Sequence, residues 1–282
     1  MTIDPWTTPG PVPERHRPAP PPAEAGGWEI GRKHRLLDMV EEAVRANPRS
    51  AQRHLGPSEV GSPCNRKLAL HALDAPQRDT GVGWEAARGT GVHSWLAEQV
   101  QQVAPKGQLL VELGLHVDGD PLDDVDKLAG SSDLVGIWDL PGGDIEVVDW
   151  KIVGSTTLQK VNRGAIGESY QVQTQVYGLG LERSLGLTPA RVTLIYLPVA
   201  GSWHDARVAT RPYDRDVALR AIERWHTIRA RARQVGLAQV VAAAPTADDW
   251  CQSCPYLGTV DPETKLVLCR GNAAETKARE TA

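Results

Sequence analysis

The chain has 282 residues, 41% of them apolar and 23% charged, enough for one substantial domain or two small ones with a sizeable core. No apolar run reaches membrane-spanning length, and the amino terminus lacks the charged, apolar, small-residue order of a secretion signal, so a cytoplasmic protein with no membrane partner is expected. The formal net charge of -4 lacks the basic excess of nonspecific nucleic-acid binders, and four cysteines are too few for a disulfide framework.

Residues 1–29 are proline-rich and are expected as a disordered tail outside the fold. A domain over 30–246 opens with an amphipathic helix carrying Leu36, Leu37, Val40 and Val44, stopped by Asn47-Pro48. A second helix is predicted from Pro63 towards Leu73, with Cys64 in its first turn. A third runs from Trp84 to Val103, with Val92, Trp95, Leu96, Gln99 and Val103 along one side. Gly89 and Gly91 fall inside it; each costs about 1 kcal/mol relative to alanine, which predicts either a later helix start or a close approach to its backbone. The period then changes to two. Strands are predicted at Gln108–Val117, Leu128–Trp138 and Asp144–Val153, the last two joined by a Pro141-Gly142-Gly143 turn. Helices are predicted next at Thr156–Ala165 and Ser169–Leu185, then a strand at Arg191–Val199 with Trp203–Thr210 as its hairpin partner. A long helix from Asp214 to Leu237 buries Val217, Ile222, Trp225 and Ile228; a cysteine-bearing segment over 247–270 and a polar tail over 271–282 end the chain. The alternation of helices and strands predicts an α/β fold.

The segment DIEVVDWKIV, residues 144–153, breaks the logic of a buried strand. Asp149 and Lys151 share one face with Ile145, Val147 and Val153, and charges in such a place are costly unless paired or bound to metal. With Asp133 on the preceding strand they form a set capable of metal-assisted hydrolysis, oxygen ligands suiting magnesium or manganese and Lys151 steadying the developing charge. A D-x-K triplet by itself is more often a strand-end carboxylate beside a snorkelling surface lysine. The context decides between the two.

That context resembles the PD-(D/E)XK nuclease superfamily, in which an aspartate on one strand is followed, after a turn, by an acidic residue, a spacer and a lysine. Asp133, Asp149 and Lys151 match these positions, and His93 upstream and Gln173 with Tyr177 downstream match the additions of its RecB-like branch. The resemblance implies a restriction-endonuclease-like core, a mixed central sheet flanked by helices. It further implies Asp133, Asp149, Lys151, Gln173 and Tyr177 as catalytic residues, with His93, Asp133, Asp149 and the backbone carbonyl of Trp150 holding Mg2+ or Mn2+.

Cys64 stands before this core and Cys251, Cys254 and Cys269 after it, Cys251 and Cys254 as a C-x-x-C pair able to converge on one metal centre. Read alone, the four are open to a zinc site, a redox pair or buried small residues. The one-plus-three layout resembles the iron-sulfur members of the RecB-like nucleases: AddB-type proteins, CRISPR-associated exonucleases and phage relatives. It implies a structural [4Fe-4S] cluster joining the amino- and carboxy-terminal segments, with [2Fe-2S] or zinc as alternatives. The gap from Cys254 to Cys269 exceeds the few residues usual in that family. The implied activity is exonucleolytic hydrolysis of single-stranded DNA or duplex ends, in recombination, phage DNA processing or spacer acquisition. Recombination or adaptation proteins, or further copies of the chain, are the implied partners. Two other readings stay open: a non-catalytic DNA- or partner-binding module, and a zinc-stabilised structural protein. Arg66, Lys67, Arg88, Lys160, Arg163 and Arg270 are candidates for phosphate contacts, each weighed against a solvated surface charge, and Trp84, Trp95 and Trp150 are candidates for base stacking, weighed against burial in the core.

Overall fold

A computed structural model describes residues 35–46, 55–79, 83–105, 107–122, 127–137, 144–248 and 251–274. The expected tail over 1–29 and the turn at Pro141-Gly142-Gly143 lie outside the described residues, as does most of 271–282. Contacts divide the chain after Val40, within helix α1 (Arg35–Arg45), and the unit from Glu41 onwards contains the sheet with all the later helices.

Among the described residues eleven α-helices and β-strands follow α1. Two short helices, α2 (Pro57–Val60) and α3 (Asn65–Ala72), precede α4 (Trp84–Val103). Strands β1 (Leu109–Asp118), β2 (Leu128–Ile137) and β3 (Ile145–Val153) form an antiparallel meander. Helices α5 (Ser155–Asn162) and α6 (Glu168–Leu185) then carry the chain back to β4 (Arg191–Pro198), which pairs parallel with β3, and β5 (Arg207–Pro212) closes an antiparallel edge. The sheet order is β1-β2-β3-β4-β5. Helix α7 (Arg215–Ala243) lies behind α3 and α6. Among the described residues no helix is long and apolar enough to cross a membrane.

Period-two alternation sends the strand side chains to two cores. Val135, Val147 and Val192 pack with Tyr177 and Leu181 of α6, whereas Leu134, Val148 and Trp150 pack with Leu96 of α4. Fully burying a valine or leucine side chain contributes about 1.5–3 kcal/mol, so these layers hold β3 rigidly between two helices. This is the mixed, helix-flanked α/β core expected.

Several details differ from expectation. Helix α3 starts at Asn65, so Cys64 is its N-cap rather than part of its first turn. Helix α4 runs unbroken through Gly89 and Gly91, and a side chain at either would meet nothing within 4 Å. Neither a later start nor a close approach explains them. Trp95 and Val103 are exposed while Leu96 and Ala97 carry the packing of α4. Helix α7 extends past Leu237 by breaking at Gly236, whose φ of 76° suits glycine alone.

Candidate active site

The sheet opens where the charged residues sit. Strands β2 and β3 pair from Ile137 and Ile145 up to Leu134 and Val148, and there the pairing ends. One step further, Asp133 and Asp149 face each other across the fork, while β4 continues to hold β3 from Asp149 through Val153. Asp133 takes over the role of the missing strand: its Oδ2 accepts the Trp150 backbone N–H at 2.8 Å. Its Oδ1 lies 3.0 Å from Nδ1 of His93, delivered by α4.

Asp149 is 2% exposed. Lys151 Nζ stands 2.6 Å from its Oδ2 as an ion pair, and Gln173 Nε2 donates to its Oδ1 at 3.2 Å. Gln173 Oε1 in turn accepts from Lys151 Nζ at 2.9 Å, and Gln173 Nε2 lies 3.2 Å from the Tyr177 hydroxyl. Gln173 and Tyr177 can share this work because positions four apart stand on one face of α6. The ammonium also sits 5.0 Å from the centroid of the Tyr170 ring. Burial pushes the Asp149 carboxyl up to about 6; Lys151 pulls it down and the neighbouring Asp133 charge raises it again.

Sequence reasoning missed Glu112. Strand β1 pairs Val111 with Leu134 and Leu113 with Ser132, which sets Glu112 opposite Asp133. Its φ is 49°, a left-handed conformation that costs a non-glycine residue about 1–2 kcal/mol. Ser131 Oγ donates to its Oε2 at 3.0 Å. His93, Glu112 and Asp133 each offer a ligand atom, all within 4.8 Å of one another. The one signal in the sequence was an acidic residue inside the apolar run LLVELGL.

One imidazole nitrogen and carboxylate oxygens make a donor set suited to manganese or magnesium. The mutual repulsion of Asp133 and Asp149 is what a cation between them would relieve, so the residues fit the group. Asp149 stands outside the three-residue set, its oxygens engaged by Lys151 and Gln173. Trp150 meets Asp133 through its N–H, the group opposite in polarity to the carbonyl expected as a ligand.

All four cysteines line one small cavity, together with Lys67, Tyr256 and Gly271. Cys64 comes from the start of α3, Cys251 and Cys254 from a 3-10 turn, and Cys269 from a bridge to Leu257. Gly271 N–H donates to Cys269 Sγ at 3.4 Å, and burial pushes the Cys254 thiol up while Lys67 pulls it down. Among the described residues no three of these sulfurs lie within 4.8 Å of one another. A single tetrahedral zinc, with Zn–S near 2.3 Å, requires sulfurs about 3.8 Å apart.

Two expected nucleic-acid contacts are corrected. Arg66 is 1% exposed, and its Nε donates to the Ala244 carbonyl, so it fastens α3 to the end of α7. Trp150 is buried in the core facing α4 and has no surface on which a base could stack.

A mixed sheet that parts at two aspartates, with a lysine two residues beyond the second, defines the class of restriction-endonuclease-like cores. The chain belongs to the PD-(D/E)XK nuclease superfamily, whose family model matches residues 29–259. None of the curated proteins compared with the chain matches it. Among solved structures, that of SSO0001 is similar at 14% identity and a TM-score of 0.47, over 82% of this chain and 97% of the other. The alkaline exonuclease LHK-Exo from Laribacter hongkongensis is similar at 12% identity and a TM-score of 0.42, over 68% of this chain and 92% of the other. Its complex with dAMP gives 12% identity, a TM-score of 0.43 and 68% and 91% coverage.

Proposed function

We propose that the chain is a divalent-metal-dependent deoxyribonuclease that removes nucleotides from single-stranded DNA or duplex ends. The observation that carries this reading is the fork, where Asp133, Asp149, Lys151 and His93 converge from three elements. A divalent cation at these carboxylates and the His93 imidazole supplies, when bound, an activated water and charge neutralisation at the scissile phosphate. Lys151 aims its ammonium at the same point and offsets charge building on the phosphoryl oxygens. Gln173 holds both Lys151 and Asp149, and Tyr177 holds Gln173, so α6 fixes the lysine's aim. The Trp150 carbonyl is a further ligand in this reading.

The same reading assigns Cys64, Cys251, Cys254 and Cys269 to a structural iron-sulfur cluster of the [4Fe-4S] type. Their shared cavity and the N–H directed at Cys269 support it. No cysteine is left over to open the site to substrate, so the cluster's role is to clasp α3 to the carboxy-terminal segment.

End-labelled single-stranded and duplex DNA, incubated with manganese or magnesium, tests the chemistry. Asp149→Ala and Lys151→Ala are expected to lose cleavage while keeping the fold; digestion at the parent's rate would overturn the assignment. Protein purified without oxygen should be brown and contain iron and sulfide, and a colourless, zinc-loaded preparation would refute the cluster.

A further inference from the structure

A cleft opens just beyond Lys151, lined by α3, the start of α4, the end of β3 and the amino end of α5. Its volume is about 860 Å3. A second cavity of about 360 Å3 adjoins it, sharing Thr157, Lys160, Ser169 and Tyr170 in its wall. Tyr170 ties both to the candidate active site through its contact with Lys151.

Three cations reach the larger cleft from three helices: Lys67 from α3, Arg88 from α4 and Lys160 from α5. Gly154 caps α5 without a side chain, and among the described residues no side chain caps its first turn, where the Thr157 and Leu158 N–H groups bond to the Gly154 carbonyl. An uncovered helix amino end favours phosphate. Two donors beside these cavities are also buried with no hydrogen-bond partner among the described residues. One is Arg88 Nε; the other is the hydroxyl of Tyr196, a residue 0% exposed that lines the smaller cavity. Leaving a buried donor unsatisfied costs about 1–3 kcal/mol, so one such donor at each of two adjoining cavities points to a ligand rich in acceptors.

The rest of the wall narrows the ligand. Ser58, Thr156 and Ser169 present hydroxyls suited to phosphate and sugar oxygens; among the described residues no asparagine or glutamine, the usual readers of adenine edges, lines either cavity. Glu85 at the larger cleft, and Glu168 and Asp248 in the smaller, set carboxylates among the same walls, leaving Lys67, Arg88 and Lys160 as the groups able to take anions. A cleft of this size engulfs a drug-sized ligand, roughly two or three nucleotides, whereas a duplex has grooves about 12 Å wide that themselves admit a helix.

We infer that this cleft is the track of single-stranded DNA approaching Lys151, gripped through successive phosphates by Lys67, Arg88, Lys160 and the amino end of α5, without regard to sequence. The identity of the strand rests on the nuclease reading; the grip does not depend on chemistry.

Fluorescence anisotropy with a labelled single-stranded oligonucleotide, in EDTA to prevent cleavage, tests it over a salt titration. Removing three phosphate contacts with Lys67→Ala, Arg88→Ala and Lys160→Ala together should flatten the slope of log affinity against log salt by about 2. The fall in affinity between 50 and 200 mM salt then shrinks by about 18-fold. The single variant Lys160→Ala, at an exposed position of α5, should flatten the slope by about 0.7 and keeps the test valid if the triple variant does not fold. An unchanged slope in folded variants overturns the track. Equal affinity for the blunt duplex overturns the single-strand assignment, and tighter binding of the matching RNA overturns the choice of DNA. A parent protein that cleaves in manganese while the variants bind unchanged sinks the track alone. A parent that never cleaves while the slopes flatten sinks the nuclease reading and leaves the track standing.

Discussion

Exchanging Asp149 for asparagine keeps the side chain's shape and removes a charge from a residue 2% exposed. Burial lifts this carboxyl from the ordinary 3.8 to about 6, against the pull of Lys151 and with the push of Asp133. The native side chain therefore keeps its proton to higher pH than the unfolded chain does. Its contribution to stability is complete below pH 3.8 and is lost as pH rises through about 6. That interval corresponds to about 3 kcal/mol. Without divalent cations, parent and Asp149→Asn should unfold at similar urea concentrations near pH 4. By about pH 7.5 the variant should be the more stable by about 3 kcal/mol, a separation of roughly 1 M in midpoint. Excess manganese should then stabilise the parent more than the variant, which keeps His93, Glu112 and Asp133, and narrow the gap. Midpoints that differ by a constant amount from pH 4 to 7.5 would refute the argument, because the charge would not be desolvated in the native state.

Glu112→Gln should weaken manganese binding, measured by the loss of free-ion EPR signal, while leaving the melting temperature of the metal-free protein nearly unchanged; equal affinity would remove Glu112 from the site. In Gly61→Ala the new Cβ would lie 2.9 Å from both the Ser169 carbonyl and Val172 Cβ. Overpacking of that kind costs about 1–3 kcal/mol, read as a lower urea midpoint, and an unaffected midpoint would mean that α6 yields at no cost.

What could be read from the chain alone follows the length scale of each interaction. The alternation of β3 placed Asp149 and Lys151 on one face, and the spacing of Gln173 and Tyr177 placed both on one side of α6, because each depends only on the period of a single element. Glu112 escaped because its place beside Asp133 depends on the register between two strands, which no local pattern encodes. Arg66 and Trp150 escaped for a related reason: a long cationic side chain and a large aromatic one suit surface and interior alike, and only tertiary packing chooses. The glycines of α4 misled in the opposite sense, since a 20-residue helix packed against the sheet tolerates two poor helix formers.

The hydrogen bond from Trp150 to Asp133 gives that carboxylate two separate jobs. Where β2 leaves β3, a buried main-chain donor would otherwise be stranded, and Asp133 serves as a plug at the split as well as the proposed ligand. A variant at Asp133 thus mixes damage to the scaffold with damage to the chemistry, and an inactive Asp133→Ala protein would say little about either. Asp149, whose backbone is secured by β4 whatever its side chain does, is the cleaner place to dissect the reaction.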